Sequence, residues 1–229
     1  MQPVLVIFSA NSEWLAARQY FPALQIAQTP FGECMHLSLN QQPIILLQGG
    51  WGKVSAAASC QYGLQRWEPR MVINLGTCGG FEGRVARGTT LLVEETLIYD
   101  IYEQMGDTQT ALQFYHSQLD LSWLKEPFPQ SVKRARLISA DRDILTHEVE
   151  ALVRDYDAIA ADWESGAIAW VCQRNQVRCL ILRGVSDLVS IQGGEAYGNE
   201  ELFHQSSAEI VTGLLDHMAG WLRCASAGL

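Results

Sequence analysis

Three short stretches carry residues able to do chemistry. Asp162-Trp163-Glu164 sets two carboxyl groups with one residue between them, Ser186-Asp187 follows an apolar run, and Gly76-Thr77-Cys78-Gly79-Gly80 follows another. A carboxyl group half-buried at the end of a strand has its pKa raised by desolvation, so it can hold a proton at neutral pH and act as a general acid. A carboxylate turned into a cavity accepts two hydrogen bonds from ligand hydroxyls. Glycines let the backbone approach a ligand, and successive N–H groups can form a nest for an anion or hydroxyl. Each stretch also has a structural reading: a tight turn for 76–80, dipole-favoured acids in a first helical turn for Asp162 and Glu164, and an Asx turn for Asp187. Both readings stand for each stretch at this level. Cys78 has no histidine near it in sequence and reads as an inert small residue, and the five histidines show no metal-ligand spacing.

The elements that must position these groups alternate in type. Apolar, strand-like runs cover Val4 to Phe8, Pro43 to Leu47, Met71 to Leu75, Thr89 to Val93, Arg136 to Ser139 and Cys179 to Gly184. Helical patterns run from a Ser12 cap through Ala17, over Val54 to Trp67, Trp163 to Arg174, and amphipathically over Ala208 to Leu222. Gly106 to Pro129 reads as an irregular surface excursion. Four strands end in polar or glycine-rich segments (Ser9 to Glu13, Gln48 to Lys53, Gly76 to Gly80 and Ser186-Asp187), which is where open α/β sheets collect ligands. The pattern predicts an α/β fold: a single-domain, three-layer αβα sandwich over residues 1–229 with helices on both faces of a central mixed sheet.

Composition narrows the partners. The 229 residues carry a formal net charge of −9, which disfavours nucleic acid or an anionic membrane as the partner. No run of 18 apolar residues occurs, so no membrane span is expected. Six scattered cysteines without a CxxC pair, and a start at Met1 with no basic segment or cleavage pattern, lead us to expect a cytoplasmic protein with reduced thiols.

At these motifs the chain resembles the nucleoside phosphorylase and nucleosidase superfamily, and within it the 5′-methylthioadenosine/S-adenosylhomocysteine nucleosidases. The resemblance rests on Gly49 to Ala57, Pro69 to Gly80, Asp162 to Ala169 and Arg183 to Asp187, in that order. It implies a nucleoside phosphorylase-like fold, a homodimer, a place in methionine salvage, no cofactor and no metal. It also implies cleavage of the N-glycosidic bond of a purine nucleoside. By this resemblance Asp187 protonates the purine, with Ser186 orienting it, and Glu164 binds the ribose hydroxyls. Thr77, Cys78 and Gly79 lie beside ribose and base, Asp143 and Ile144 match the pair whose backbone contacts the base edge, and Asp162 belongs to the same acidic motif. Trp163 stands where the family usually has Met, Trp51 offers a further aromatic wall, and Trp170 reads as core or interface rather than wall.

The attacking group separates the two branches of the resemblance. Phosphorylases carry arginines for phosphate, since a guanidinium holds that anion bidentately. The position where their hexameric branch has one such arginine is Asn74, and Arg18 is expected to face solvent, so water is the expected nucleophile. The glutamate that activates water in nucleosidases falls, by simple register, on Trp14. Glu13 is one residue early, about 100° around a helix, and Glu33 is a second candidate. A phosphate-dependent phosphorylase, and a nucleoside-binding protein with weak or no turnover, remain the alternatives.

Overall fold

The structure is a computed structural model and describes residues 1–226. In chain order, β1 (Val4–Phe8) leads into α1 (Asn11–Tyr20), then β2 (Ile26–Thr29), β3 (Gly32–Leu39) and β4 (Gln42–Gln48). Next come α2 (Gly52–Trp67), β5 (Met71–Phe81), β6 (Thr90–Ile98), α3 (Thr108–Phe114) and β7 (His116–Gln118). After β8 (Lys133–Ser139), a 3₁₀ turn and α4 (Val149–Tyr156), the chain forms β9 (Ala160–Asp162) and α5 (Ser165–Arg174). It ends with β10 (Arg178–Ser190), β11 (Gly193–Gly194), α6 (Glu200–Asp216) and α7 (Met218–Ser226).

The expected layering is present. β1 is buried at every position, as a strand covered on both faces must be. One side of the sheet packs a core that includes Trp14, Val211 and Trp221 from α1, α6 and α7. The other side packs Cys60 and Leu64 of α2 and Ile168 and Val171 of α5. The sheet is mixed: β5 runs parallel to β1 and β10, while β10 meets β6 antiparallel.

One part of the sheet closes on itself. β5 pairs along one edge with β10 and along the other with β1 at Met71 to Asn74, then with β9 at Gly79 and Gly80. β10 continues to β6, β6 to β8 and β8 to β9, so five strands form a ring and β1, β4, β3 and β2 fan out from it.

Several sequence expectations need correction. Gly76 to Gly80 is not a turn; it lies inside β5, and its glycines make room. A Cβ on Gly76 would sit 2.1 Å from Arg183 Nη1 and 2.4 Å from Glu13 Oε1, and one on Gly80 2.7 Å from Val185 Cγ1. Ser186-Asp187 does not stop its strand either: β10 runs on to Ser190, with a register shift against β5 between Val185 and Asp187. Such a bulge bends a strand and re-aims a side chain, here Asp187. Ser12 is not a cap. Ala10 takes that place and Glu13 supplies the acceptor, which a residue at the third helical position can do by reaching back. The closing helix is two helices, interrupted at His217, and the first begins at Glu200 under an Asn199 cap. The 106–129 stretch includes α3 and β7.

Candidate active site

A cavity of about 500 Å³ opens where β5, β9 and β10 leave the ring. Thr77, Cys78 and Gly79 come from β5, Asp162, Trp163 and Glu164 from the β9–α5 junction, and Ser186 and Asp187 from β10. Asp143 and Ile144 come from the loop after β8, and Glu13 from the first turn of α1. These eleven residues, all singled out from the sequence, therefore line one cavity, while Glu33 and Trp170 lie outside it.

Its floor is a buried knot of charges. Arg183 is fully buried and its Nη2 lies 3.0 Å from Asp162 Oδ2 and 3.9 Å from Glu164 Oε2, while its Nη1 is 3.4 Å from Glu13 Oε1. Its remaining donors go to Ser165 Oγ at 2.8 Å, Asn74 Oδ1 at 2.9 Å and the Thr77 carbonyl at 3.3 Å. Three carboxyl groups thus share one guanidinium.

The two acids flanking Trp163 play different parts. Asp162 accepts from Ser139 Oγ at 2.6 Å and from the Ser165 N–H, so it does tie down the start of α5. Glu164 precedes that helix, yet its side chain makes no cap; it turns away and accepts from the Gly52 N–H at 3.1 Å. Burial, then the neighbouring Asp162, push the Glu164 carboxyl up to about 8, while Arg183 pulls the other way.

Glu13 is 1% exposed. Its Oε2 accepts from the N–H groups of Ser9 and Ala10 at 3.1 and 3.0 Å, and its Oε1 from the Thr77 N–H and hydroxyl at 2.7 and 3.0 Å. Trp14, the residue that simple register puts in this place, instead packs against Phe8 and donates its indole N–H to Glu33 at 2.8 Å. Glu33 also pairs with the half-exposed Arg18 at 3.2 Å and does not line the cavity, so it drops out as a water activator.

Asp187 stands four residues beyond Arg183 on the same strand, β10, and its partners differ from those of the knot. Ser186 Oγ lies 2.6 Å from its Oδ1 and 3.2 Å from the Cys78 carbonyl. Among the described residues nothing hydrogen-bonds its Oδ2. Burial raises its carboxyl above the usual range, against the Ser186 hydrogen bond, with Glu195 and Asp143 adding to the rise. Cys78 is buried with its thiol driven well up by desolvation, which leaves it no thiolate to attack with.

Sequence reasoning left out Arg183 as an organiser, although an arginine in the middle of an apolar strand is itself a signal. It also left out Tyr197, Phe203 and His204, which complete the rim. The Tyr197 hydroxyl donates to the Ile144 carbonyl at 2.5 Å and ties the two rim loops together. Trp51 stacks on Trp163 with ring centres 5.8 Å apart and 23° between planes. Asn74 is buried behind the site, donating to the Ile7 carbonyl at 3.1 Å.

Comparison with known proteins agrees with this architecture. The profile described as the Phosphorylase superfamily matches residues 12–219. A 5′-methylthioadenosine/S-adenosylhomocysteine nucleosidase of Actinobacillus succinogenes is 30% identical over 192 residues, 77% of this chain and 82% of that protein. The protein of the same name from Haemophilus influenzae is 30% identical over 198 residues, 79% and 84% of the two chains. Among solved structures, the 5′-methylthioadenosine/S-adenosylhomocysteine nucleosidase of Helicobacter pylori with butyl-thio-DADMe-Immucillin-A superposes with a TM-score of 0.78 at 17% identity, covering 94% of this chain and 98% of that one. At that identity the likeness speaks for the fold. The profile match and the two relatives speak for descent: the chain belongs to the phosphorylase superfamily and groups with its 5′-methylthioadenosine/S-adenosylhomocysteine nucleosidases.

Proposed function

We propose that this chain, working over 1–229 as a single domain, hydrolyses the N-glycosidic bond of a purine nucleoside of the 5′-methylthioadenosine/S-adenosylhomocysteine class. The relatives named for that activity support the substrate class. The observation that carries water over phosphate is the lining itself: six acidic residues (Glu13, Asp143, Asp162, Glu164, Asp187 and Glu200) and a single arginine, Arg142. Arg142 is engaged by both oxygens of Glu148, at 3.2 and 2.7 Å. A phosphate would enter against carboxyl groups with no open guanidinium fork to receive it.

The geometry supports the following division of labour. Bond cleavage passes through an oxocarbenium-like sugar, and the purine is a poor anion unless protonated. Asp187, its hold on a proton strengthened by burial and its carboxyl oriented through Ser186, hands a proton to the base; general-acid help of this kind contributes about 10²–10⁴-fold. Glu164 accepts the ribose hydroxyls. Their hydrogen bonds favour its ionised form, which then faces the positive charge growing on the ring. Glu13 takes the proton of the attacking water. Its oxygens are fully engaged in the free site, so water joins by turning aside the rotatable Thr77 hydroxyl. Thr77, Cys78 and Gly79 flank sugar and base, Asp143 and Ile144 meet the base edge, and Trp163 backed by Trp51 walls the sugar. No cofactor or metal is needed for these steps.

The assembly and setting are part of the same reading. Trp51, Val54, Tyr102 and Met105 are all exposed, and the Lys53–Asp100 ion pair brings their two segments side by side. A second copy of the chain covers this apolar patch in a homodimer. Six buried cysteines without a disulfide support a reducing cytoplasmic setting, and the substrate class supports a part in methionine salvage.

The test is to incubate the purified chain with 5′-methylthioadenosine, S-adenosylhomocysteine and unsubstituted purine nucleosides, with and without phosphate. Free base and free sugar released without phosphate are expected. Release only with phosphate would make the chain a phosphorylase, and tight binding with no turnover would make it a nucleoside-binding protein.

A further inference from the structure

Outside the cavity, three charged side chains close a triangle across the ends of three strands. Lys53 follows β4 at the start of α2, Asp100 follows β6 and Asp141 follows β8. The Lys53 ammonium pairs with Asp100 Oδ1 and lies 3.8 Å from Asp141 Oδ2. The Asp141 N–H donates to Asp100 Oδ2 at 3.0 Å, and the Lys53 N–H donates to Asp141 Oδ1 at 2.7 Å. The Lys53–Asp100 pair is less than one-fifth exposed, while Asp141 stands at the exposed corner of the triangle. None of the three residues lines the cavity.

The triangle fixes one peptide plane. Gly52, the residue before Lys53, is the one whose N–H reaches Glu164 Oε1 at 3.1 Å. Gly52 has φ +76°, and a Cβ there would sit 2.7 Å from Asp141 Oδ1, so the backbone is pressed directly onto the triangle. Moving Lys53 or Asp141 therefore moves the one backbone N–H that, among the described residues, reaches the Glu164 carboxyl.

We propose that Lys53 is a positioning residue for Glu164, holding the Gly52 N–H against its carboxylate through Asp100 and Asp141. The inference rests on the part given to Glu164 under the proposed function. The groups facing Glu164 are Asp162 from β9, Arg183 from β10, Glu13 from α1 and the Gly52 N–H from α2. Asp162 and Glu13 favour the protonated form, and Arg183 and Gly52 favour the ionised form. Lys53 thus acts on the acid limb of the pH profile without touching substrate.

The test is the pH profile of kcat/KM for the wild type, Lys53→Met, Lys53→Arg, Asp100→Asn and Glu164→Gln. Loss of the Gly52 hydrogen bond in Lys53→Met is expected to move the acid limb up by about one pH unit, a roughly tenfold loss below the limb, as befits one hydrogen bond to a charged group. Lys53→Arg keeps the charge and is expected to bring the limb back. Asp100→Asn opens the same triangle from the other side and serves if Lys53→Met does not fold. An unmoved limb in Lys53→Met and Asp100→Asn, with Glu164→Gln inactive, overturns this inference alone. A Glu164→Gln enzyme as active as the wild type overturns the reading of Glu164 beneath it as well.

Discussion

Replacing Glu164 by Gln is expected to destroy activity and yet stabilise the protein at alkaline pH. Burial beside Asp162 pushes the Glu164 carboxyl from 4.5 in the unfolded chain up to about 8 in the fold. The native state then binds more protons than the unfolded state between those two values. Its stability is fully present below about pH 4.5 and is lost as pH rises toward about 8. The distance from 4.5 to about 8 corresponds to roughly 5 kcal/mol once Glu164 is forced to ionise. Gln keeps an oxygen for the Gly52 N–H and carries no charge, so it escapes that cost. The assay is urea unfolding of both proteins from pH 4 to 9.5, with kcat measured at the same points. The variant is expected to be close to the wild type near pH 4 and several kcal/mol more stable above pH 8, with little turnover anywhere. Parallel stability curves would refute the claim that Glu164 is held against its charge.

Other outcomes follow from the same knot. Glu13→Gln leaves at least two of the five N–H and O–H donors around that side chain facing an NH₂ group, at about 1–3 kcal/mol for each unsatisfied donor. We expect a protein less stable by roughly 2–6 kcal/mol in chemical denaturation, with kcat down about 10²–10⁴-fold if Glu13 activates water; unchanged kcat would remove it from that role. Gly76→Ala places a methyl group 2.1 Å from Arg183 Nη1 and 2.4 Å from Glu13 Oε1, both buried and hydrogen-bonded. Breaking such a pair costs on the order of 3–5 kcal/mol, so the variant is expected to melt far lower and lose activity, and a crystal structure with the knot intact would contradict this.

How much of this was readable without coordinates depends on the residue. The strands that present as short, all-apolar runs were plain, because burial on both faces leaves no other composition for β1; Asp187 stood out after such a run and Glu164 at the opening of a helical pattern. The glycines of 76–80 were informative for a different reason from the apparent one: they mark close approach of Arg183 and Glu13, which lie 107 and 63 positions from Gly76 in the chain and cannot be seen in a local window. Counting register from β1 set Trp14 in the wrong place, since α1 starts at Asn11 and the N–H groups of Ser9 and Ala10 pull Glu13 inward. The rim residues Phe203 and His204 were hidden because the first turns of α6 are mostly polar, and Tyr197 because it lies in the turn before that helix; the Asn199 cap followed by Glu200 and Glu201 was the available sign.

The central claim is that Asp187 is the acid that protonates the departing base, and it can be tested with two leaving groups. The measurement compares kcat of the wild type and Asp187→Asn on an ordinary purine nucleoside and on its N7-methylated counterpart, whose base is already cationic and needs no proton. On the ordinary nucleoside the variant is expected to lose about 10²–10⁴-fold, the usual worth of general-acid help, while on the N7-methylated nucleoside the two enzymes should run at similar rates. An equal loss on both substrates would contradict the account, since Asp187 would then matter for something other than the proton.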